Sequence, residues 1–348
     1  MNYSTLDRFL GAWLGSMLGS ALSNNLNGSD YNKILNHEFQ DWVEIRNEIA
    51  LVAIAQQQSQ VVQKRSTKIL LENYLKNFLR PFQDISRNNI VFEQIHKADL
   101  IGYYCRSLSI LLPLILLQQD NNEISNLYAK TIAIYNSNSA LVESIQQDVT
   151  AWNYIITMAL NNQFSFEEAN VSLASQRVLS NIEATPYSLV EKLEIVSQAW
   201  ENGWTLKQLT KLYRHKLAKE AIPTASLPIA LSFYCFASTP RNFMLSVKRA
   251  SNIERNLSMP VALLTATISG AYNGRTSIPR NWLEAAGDCQ PYQLAQKTVK
   301  RLYQNWLGVY DPNNLELLCN LDVSQVATPK IFQTRQNLKI VSQNSNFD

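Results

Sequence analysis

The sequence predicts an all-α protein, a single compact multi-helix globule, on two observations. Apolar residues recur at helical spacing through most of the chain, and no stretch alternates apolar and polar residues between paired turn signals for long enough to make a sheet. The first window sets the pattern: Leu6, Leu10, Trp13, Leu14, Met17 and Leu18 share one face at i, i+3, i+4 spacing. Ile49, Val52, Ala53 and Gln56 continue a second such face. Further helical windows follow at 67–79, 106–118, 123–136, 140–160, 188–202, 206–218, 227–236, 241–253, 260–272 and 290–310. No period of 20–50 residues recurs, which argues against a solenoid. No linker rich in Gly, Ser or Pro divides the chain, so we expect one helical domain over 1–311. The stretch 312–348 turns to Asn, Gln and Ser and is expected to be a polar extension, partly ordered at most.

Composition narrows the function classes. The chain has 348 residues, 46% of them apolar and 17% charged, against roughly 25% charged in typical soluble domains. Thirty-four Asn and 24 Gln replace the missing charge, so the surface is expected to be polar without being strongly charged. A formal charge of +3 gives no large single-sign field for nucleic acid or anionic lipid. The cysteines, Cys105, Cys235, Cys289 and Cys319, form no C-x-x-C pair, which argues for reduced thiols in a cytoplasmic protein rather than a zinc ribbon or disulfide framework. The longest apolar runs, 9–22 and 109–117, are diluted by Gly and Ser or broken by Pro113, and fall short of the roughly 18–20 residues that span a bilayer. Asp7 and Arg8 precede the first apolar run with no basic leader, which argues against a cleaved signal peptide.

Two further features are local. Gly11, Gly15 and Gly19 share one helical face, and Gly270 and Gly274 form a second small-residue stripe with Ala266. Gly inside a helix costs about 1 kcal/mol relative to Ala, so both stripes predict close backbone approach in the middle of the globule. Residues 149–287 contain no Asp at all. Hard-metal chemistry in that span would depend on Glu alone.

Several segments together resemble a known family. Arg8-Phe9-Leu10-Gly11-Ala12-Trp13-Leu14-Gly15-Ser16-Met17-Leu18-Gly19-Ser20-Ala21-Leu22 resembles the opening helix of the ADP-ribosylglycohydrolases, roughly RFxGALLGLAVGDALG. Gly270-Ala271-Tyr272-Asn273-Gly274, then Ser277-Ile278-Pro279-Arg280-Asn281-Trp282-Leu283, is similar to their GALYG…IPERWL. Phe233-Tyr234-Cys235-Phe236 with Pro240-Arg241-Asn242-Phe243 is similar to the helix and P-x-x-F segment before the family's second metal motif, and Pro113-Leu114 stands where MRxxPL would. The resemblance implies an all-α fold with a central cleft. Active members hold two Mg²⁺ ions there and cleave the N- or O-glycosidic bond of ADP-ribose attached to a protein side chain. Two hard cations about 3.5–4 Å apart need several carboxylates around them.

On that resemblance the acids are largely replaced. The Asp of the opening motif falls on Ser20 and its final Gly on Ser23. The T-D-D-T cluster maps onto Glu44-Ile45-Arg46-Asn47, and the G-G-D-x-D-T cluster falls within 254–260, with Asn252 just ahead and Glu254, Arg255 and Asn256 inside it. The Arg of MRxxPL falls on Ile110, and the T-H-x-x-P segment appears as Asn136-Ser137-Asn138-Ser139 without its His. The expected ligand cleft is therefore lined by Ser20, Glu44, Arg46, Asn47, Glu48, Asn252, Glu254, Arg255 and Asn256, with no metal and no cofactor. Arg46 and Arg255 adjoin former cation-binding segments, where each either binds an anionic group or makes an ordinary salt bridge.

Outside the cleft, His37, His96 and His215 have no partner at metal-ligand spacing, and no nucleophile elbow or phosphate loop is present. Lys207, Lys211 and Arg214 lie on the most basic helical window, which is either a solvated face or a docking face for an acidic protein partner or RNA. Two function classes follow. One is an inactive relative acting as a binding, regulatory or scaffold subunit for another protein, with room for a nucleotide-like small molecule in the cleft. The other is an active Mg²⁺-dependent hydrolase of ADP-ribosylated protein using Glu44, Glu48 and Glu254. The Asp census favours the first.

Overall fold

The computed structural model describes residues 3–24, 46–47, 50, 97–118, 139–164, 187–217, 225–287 and 290–307. Eleven helices have bounds among the described residues, α1 Thr5–Asn24, α2 Lys97–Ile110, α3 Leu112–Gln118, α4 Ser139–Leu160, α5 Tyr187–Glu201, α6 Leu206–Leu217, α7 Ser226–Ala237, α8 Phe243–Ser251, α9 Arg255–Asn273, α10 Arg280–Gly287 and α11 Gln290–Trp306, and residues 46, 47 and 50 are helical as well. A 3₁₀ turn, Arg275–Ser277, joins α9 to α10. No strand occurs among the described residues, and no helix there is long and apolar enough to cross a membrane. The windows 67–79 and 123–136, most of the face at 49–56, and the extension 312–348 lie outside the described residues.

Low charge explains the arrangement. Helices α1 from Arg8 to Ala21, all of α7, and α9 from Pro260 to Ala271 are buried on every side, which requires a helix apolar or small-residued all round. The charged helices α6, α8, α10 and α11 lie outside them. The central pair is α1 against α9, the most extensively packed pair of described elements. They run antiparallel, with Gly11 against Gly270 and Gly274, Gly15 against Ala266, and Gly19 against Ala262. A Cβ on any of the three α1 glycines would overlap backbone of α9. Around this pair, α8, α7, α2 and α4 pack on α9, and α11 packs on α1 through Phe9, whose ring meets Tyr303 at 5.6 Å and Trp306 at 5.7 Å.

Local signals fix the ends. Ser4 Oγ accepts the Asp7 amide at 3.1 Å, with Asp7 in the first turn favouring the positive end of α1. The Asp7 carboxylate also accepts from Thr276 Oγ1 at 2.9 Å, tying the start of α1 to the 3₁₀ turn. Gly274 caps α9 at φ +72° directly against that carboxylate, where a Cβ would collide. Asn242 Oδ1 accepts the Leu245 amide at 2.9 Å and starts α8 two residues later than the window 241–253 predicts. Pro113 divides the window 106–118 into α2 and α3 at Leu111, because its ring and missing N–H prevent one continuous ladder.

Candidate functional site

The antiparallel register carries the C-terminal end of α1 toward the first turn of α9. On α1, at 100° per residue, the glycines face α9, while Trp13, Ser16 and Ser20 share a face turned well away from them. Arg46 meets this second face. Its guanidinium carbon lies 4.2 Å from the centroid of the Trp13 ring, and its Nη1 donates to Ser16 Oγ, which donates to Trp13 O at 2.7 Å. Arg46 is 0% exposed, and burial holds its pKa well below the ordinary arginine value. Asn47 beside it is also buried, as is Ser20 one turn beyond Ser16.

The remaining predicted cleft residues lie elsewhere. Asn252 caps the end of α8 and is exposed, as are Glu254 at the start of α9 and Asn256 in its first turn. Ser258 Oγ donates to Ser251 O at 2.8 Å and fixes the bend between the two helices. The predicted set therefore divides into a buried group, Ser20, Arg46 and Asn47, and an exposed group, Asn252, Glu254 and Asn256. Arg255 opens α9, but its side chain lies outside the described residues, as do Glu44 and Glu48 entirely. Lys207 and Lys211 are exposed on α6; Arg214 shares that helix, its side chain outside the description.

The described groups at the interior site are neutral hydroxyls, one amide and a buried guanidinium, and no group of three or more His, Cys, Asp or Glu gathers among the described residues. A guanidinium repels a second cation in a site of low dielectric.

Trp13 and Ser16, which hold Arg46, escape a reading of local patterns. Ser16 stands one turn before Ser20, but nothing in α1 itself announces a partner from residue 46. A second polar cluster is equally silent. Asp148 of α4 is 1% exposed and faces the start of α7 at Ala225 and Ser226, with Lys192 of α5 close by. Lys192 Nζ donates to Ser226 Oγ at 3.3 Å, and Tyr213 OH of α6 donates to Lys192 O at 2.5 Å. Burial pushes the Asp148 carboxyl up to about 7, against the pull of Lys192 and the α7 amides.

A carboxyl whose folded pKa exceeds its unfolded value destabilises the fold as pH rises between the two and adds nothing further above the higher one. Stability contributed here is therefore present below about 4 and lost by about 7. Asp148→Asn should gain on the wild type across that window by on the order of 2–4 kcal/mol. Urea unfolding at pH 4, 5.5 and 7.5 reads this out, and an equal gap at all three would contradict it.

With two glycine-apposed central helices and no strand among its described residues, the chain is an all-α protein. The chain belongs to the ADP-ribosylglycohydrolase family, whose profile matches residues 1–311. A solved structure described as "ADP-ribosylglycohydrolase-related protein complex" shares the fold, with a TM-score of 0.52 and 15% identity over 86% of this chain and 98% of that one. No curated protein sequence matches the chain.

Proposed function

We propose that the chain is a family member without hydrolase activity that acts as a binding or regulatory subunit for another protein. The observation that supports this most is Arg46. In the stretch where the resemblance puts two aspartates, a fully buried guanidinium stacks on Trp13 and bonds to Ser16, one turn from the serine that replaces a third aspartate. In this reading the positive charge that metal ions supply in active relatives is built into the chain and closed to solvent. Neither a metal nor another cofactor is needed. The buried free thiols of Cys105 and Cys235 agree with a reducing, cytoplasmic setting.

The test is hydrolysis of peptides ADP-ribosylated on arginine and on serine, with Mg²⁺ or Mn²⁺ supplied. We expect release of ADP-ribose at the rate of the enzyme-free control. Metal-dependent turnover above that control overturns the proposal and returns Glu44, Glu48 and Glu254 to consideration.

A further inference from the structure

Three large apolar side chains stand exposed among the described residues, Met244, Leu245 and Leu294, and the first two are neighbours on α8. Their exposure is not a failure of packing. Phe243, Val247 and Ala250 already turn the apolar face of α8 into the core, where Phe243 meets Trp282 at 6.2 Å and touches the space above Gly15. Met244 and Leu245 belong to the outward ridge. Lys248 is exposed on the same ridge, Arg241 is exposed just ahead of the helix, and Arg249 is half-buried beside it. The helix has no acidic residue of its own. Beyond the helix, Asn252, Glu254 and Asn256 are also exposed. The platform is preformed, with Asn242 capping one end and Lys248 and Arg249 favouring the negative pole at the other.

We infer that the outward face of α8 is a docking surface for a protein partner presenting an acidic segment with interspersed apolar side chains. Charge complementarity selects this occupant. An apolar side chain resting on Met244 and Leu245 brings neighbouring carboxylates within reach of Arg241, Lys248 and Arg249, and methionine adapts its shape to what it meets. A lipid surface fits less well, because an interfacial helix inserts a whole apolar face and α8 has already committed its own to the core, leaving two side chains to insert. The inference stands on the exposed ridge and holds whether or not the cleft is catalytic.

The experiment pans a random 16-residue peptide library against the full chain and measures the enriched peptides by fluorescence anisotropy at two salt concentrations. We expect enrichment of Asp or Glu together with Leu, Phe or Trp, and affinity that falls as salt rises. Leu245→Ser and Lys248→Glu should each weaken binding at least tenfold with an unchanged circular dichroism spectrum, whereas Lys207→Glu on α6 should leave it unchanged. A photo-crosslinker at position 244 should capture the peptide. Enriched peptides without acids, binding insensitive to the α8 substitutions, or equal loss with Lys207→Glu overturns the inference. So does Leu245-dependent binding to vesicles of phosphatidylserine and phosphatidylcholine with no peptide enriched.

Discussion

Gly270→Val should leave the chain unfolded or close to it at 25 °C. A Cβ at Gly270 overlaps the carbonyl of Gly11, and a Cβ at Gly11 overlaps the carbonyl of Gly270, so each glycine is the space the other helix occupies. The obstructing atoms are backbone on both sides and have no rotamer to change. Valine adds two more carbons to that overlap, and relief requires α1 and α9 to separate, exposing the most extensive interface among the described helices. We expect a loss of at least about 4 kcal/mol, within reach of the whole roughly 5–15 kcal/mol by which domains are stable. Gly270→Ala decides between two effects of opposite sign. Helix propensity alone favours it by about 1 kcal/mol, whereas overpacking costs about 1–3 kcal/mol or more, and against rigid backbone the upper end applies. A lowered urea midpoint is therefore expected. Gly287→Ala is the control: nothing lies within 4 Å of the added carbon, and the midpoint should hold or rise.

Arg46→Ala carries the second large effect. It removes a cation from the face of Trp13, a contact worth about 2 kcal/mol when desolvated, deletes a charge-assisted bond to Ser16, and leaves a cavity in the interior. Together these predict a loss of about 3–5 kcal/mol. A surface arginine would cost less than about 0.5 kcal/mol, so the measurement separates the two situations cleanly. A double-mutant cycle with Trp13→Leu should show coupling of about 1–2 kcal/mol. Arg46→Lys should recover only part of the loss, because an ammonium neither stacks on indole nor presents a planar fork.

The parts of this fold legible in the sequence are those governed by local signals. The windows 140–160, 188–202 and 227–236 match α4, α5 and α7 to within a residue or so at each end, because their apolar period is uninterrupted. The two glycine stripes were readable as close approach, since only contact explains so much glycine in helices, and they do face each other. Where the reading slipped, a local rule pointed the wrong way. Pro260 suggests a helix start, yet α9 begins at Arg255 and carries Pro260 inside it. The residue is tolerated five positions in, where it forfeits one ladder bond while its surroundings are buried. Helix α10, eight residues long, is too short for its apolar period to stand out in the sequence.

The candidate site was legible only by position. The candidate segments can be named from the resemblance, but whether a polar residue faces water or the interior depends on what packs over it. Arg46 and Asn47 come out buried, whereas Asn252, Glu254 and Asn256, expected in the same cleft, come out exposed. No periodicity distinguishes these cases, because the difference lies in the partner helix. For Arg46 that partner is α1, through Trp13 and Ser16, one turn apart and far away in the chain. The same holds for Asp148 and Lys192, two charges in apolar helices whose mutual approach at the start of α7 no sequence pattern records.

In the proposed function a built-in cation, Arg46, holds the place that metal ions hold in active relatives. Titration of Mg²⁺ into the full chain by isothermal calorimetry at pH 7.5 tests it most directly. No heat beyond dilution is expected, with the same melting temperature in EDTA and in millimolar Mg²⁺. A saturable heat at a stoichiometry of one or two ions, accompanied by a rise in melting temperature, would contradict it.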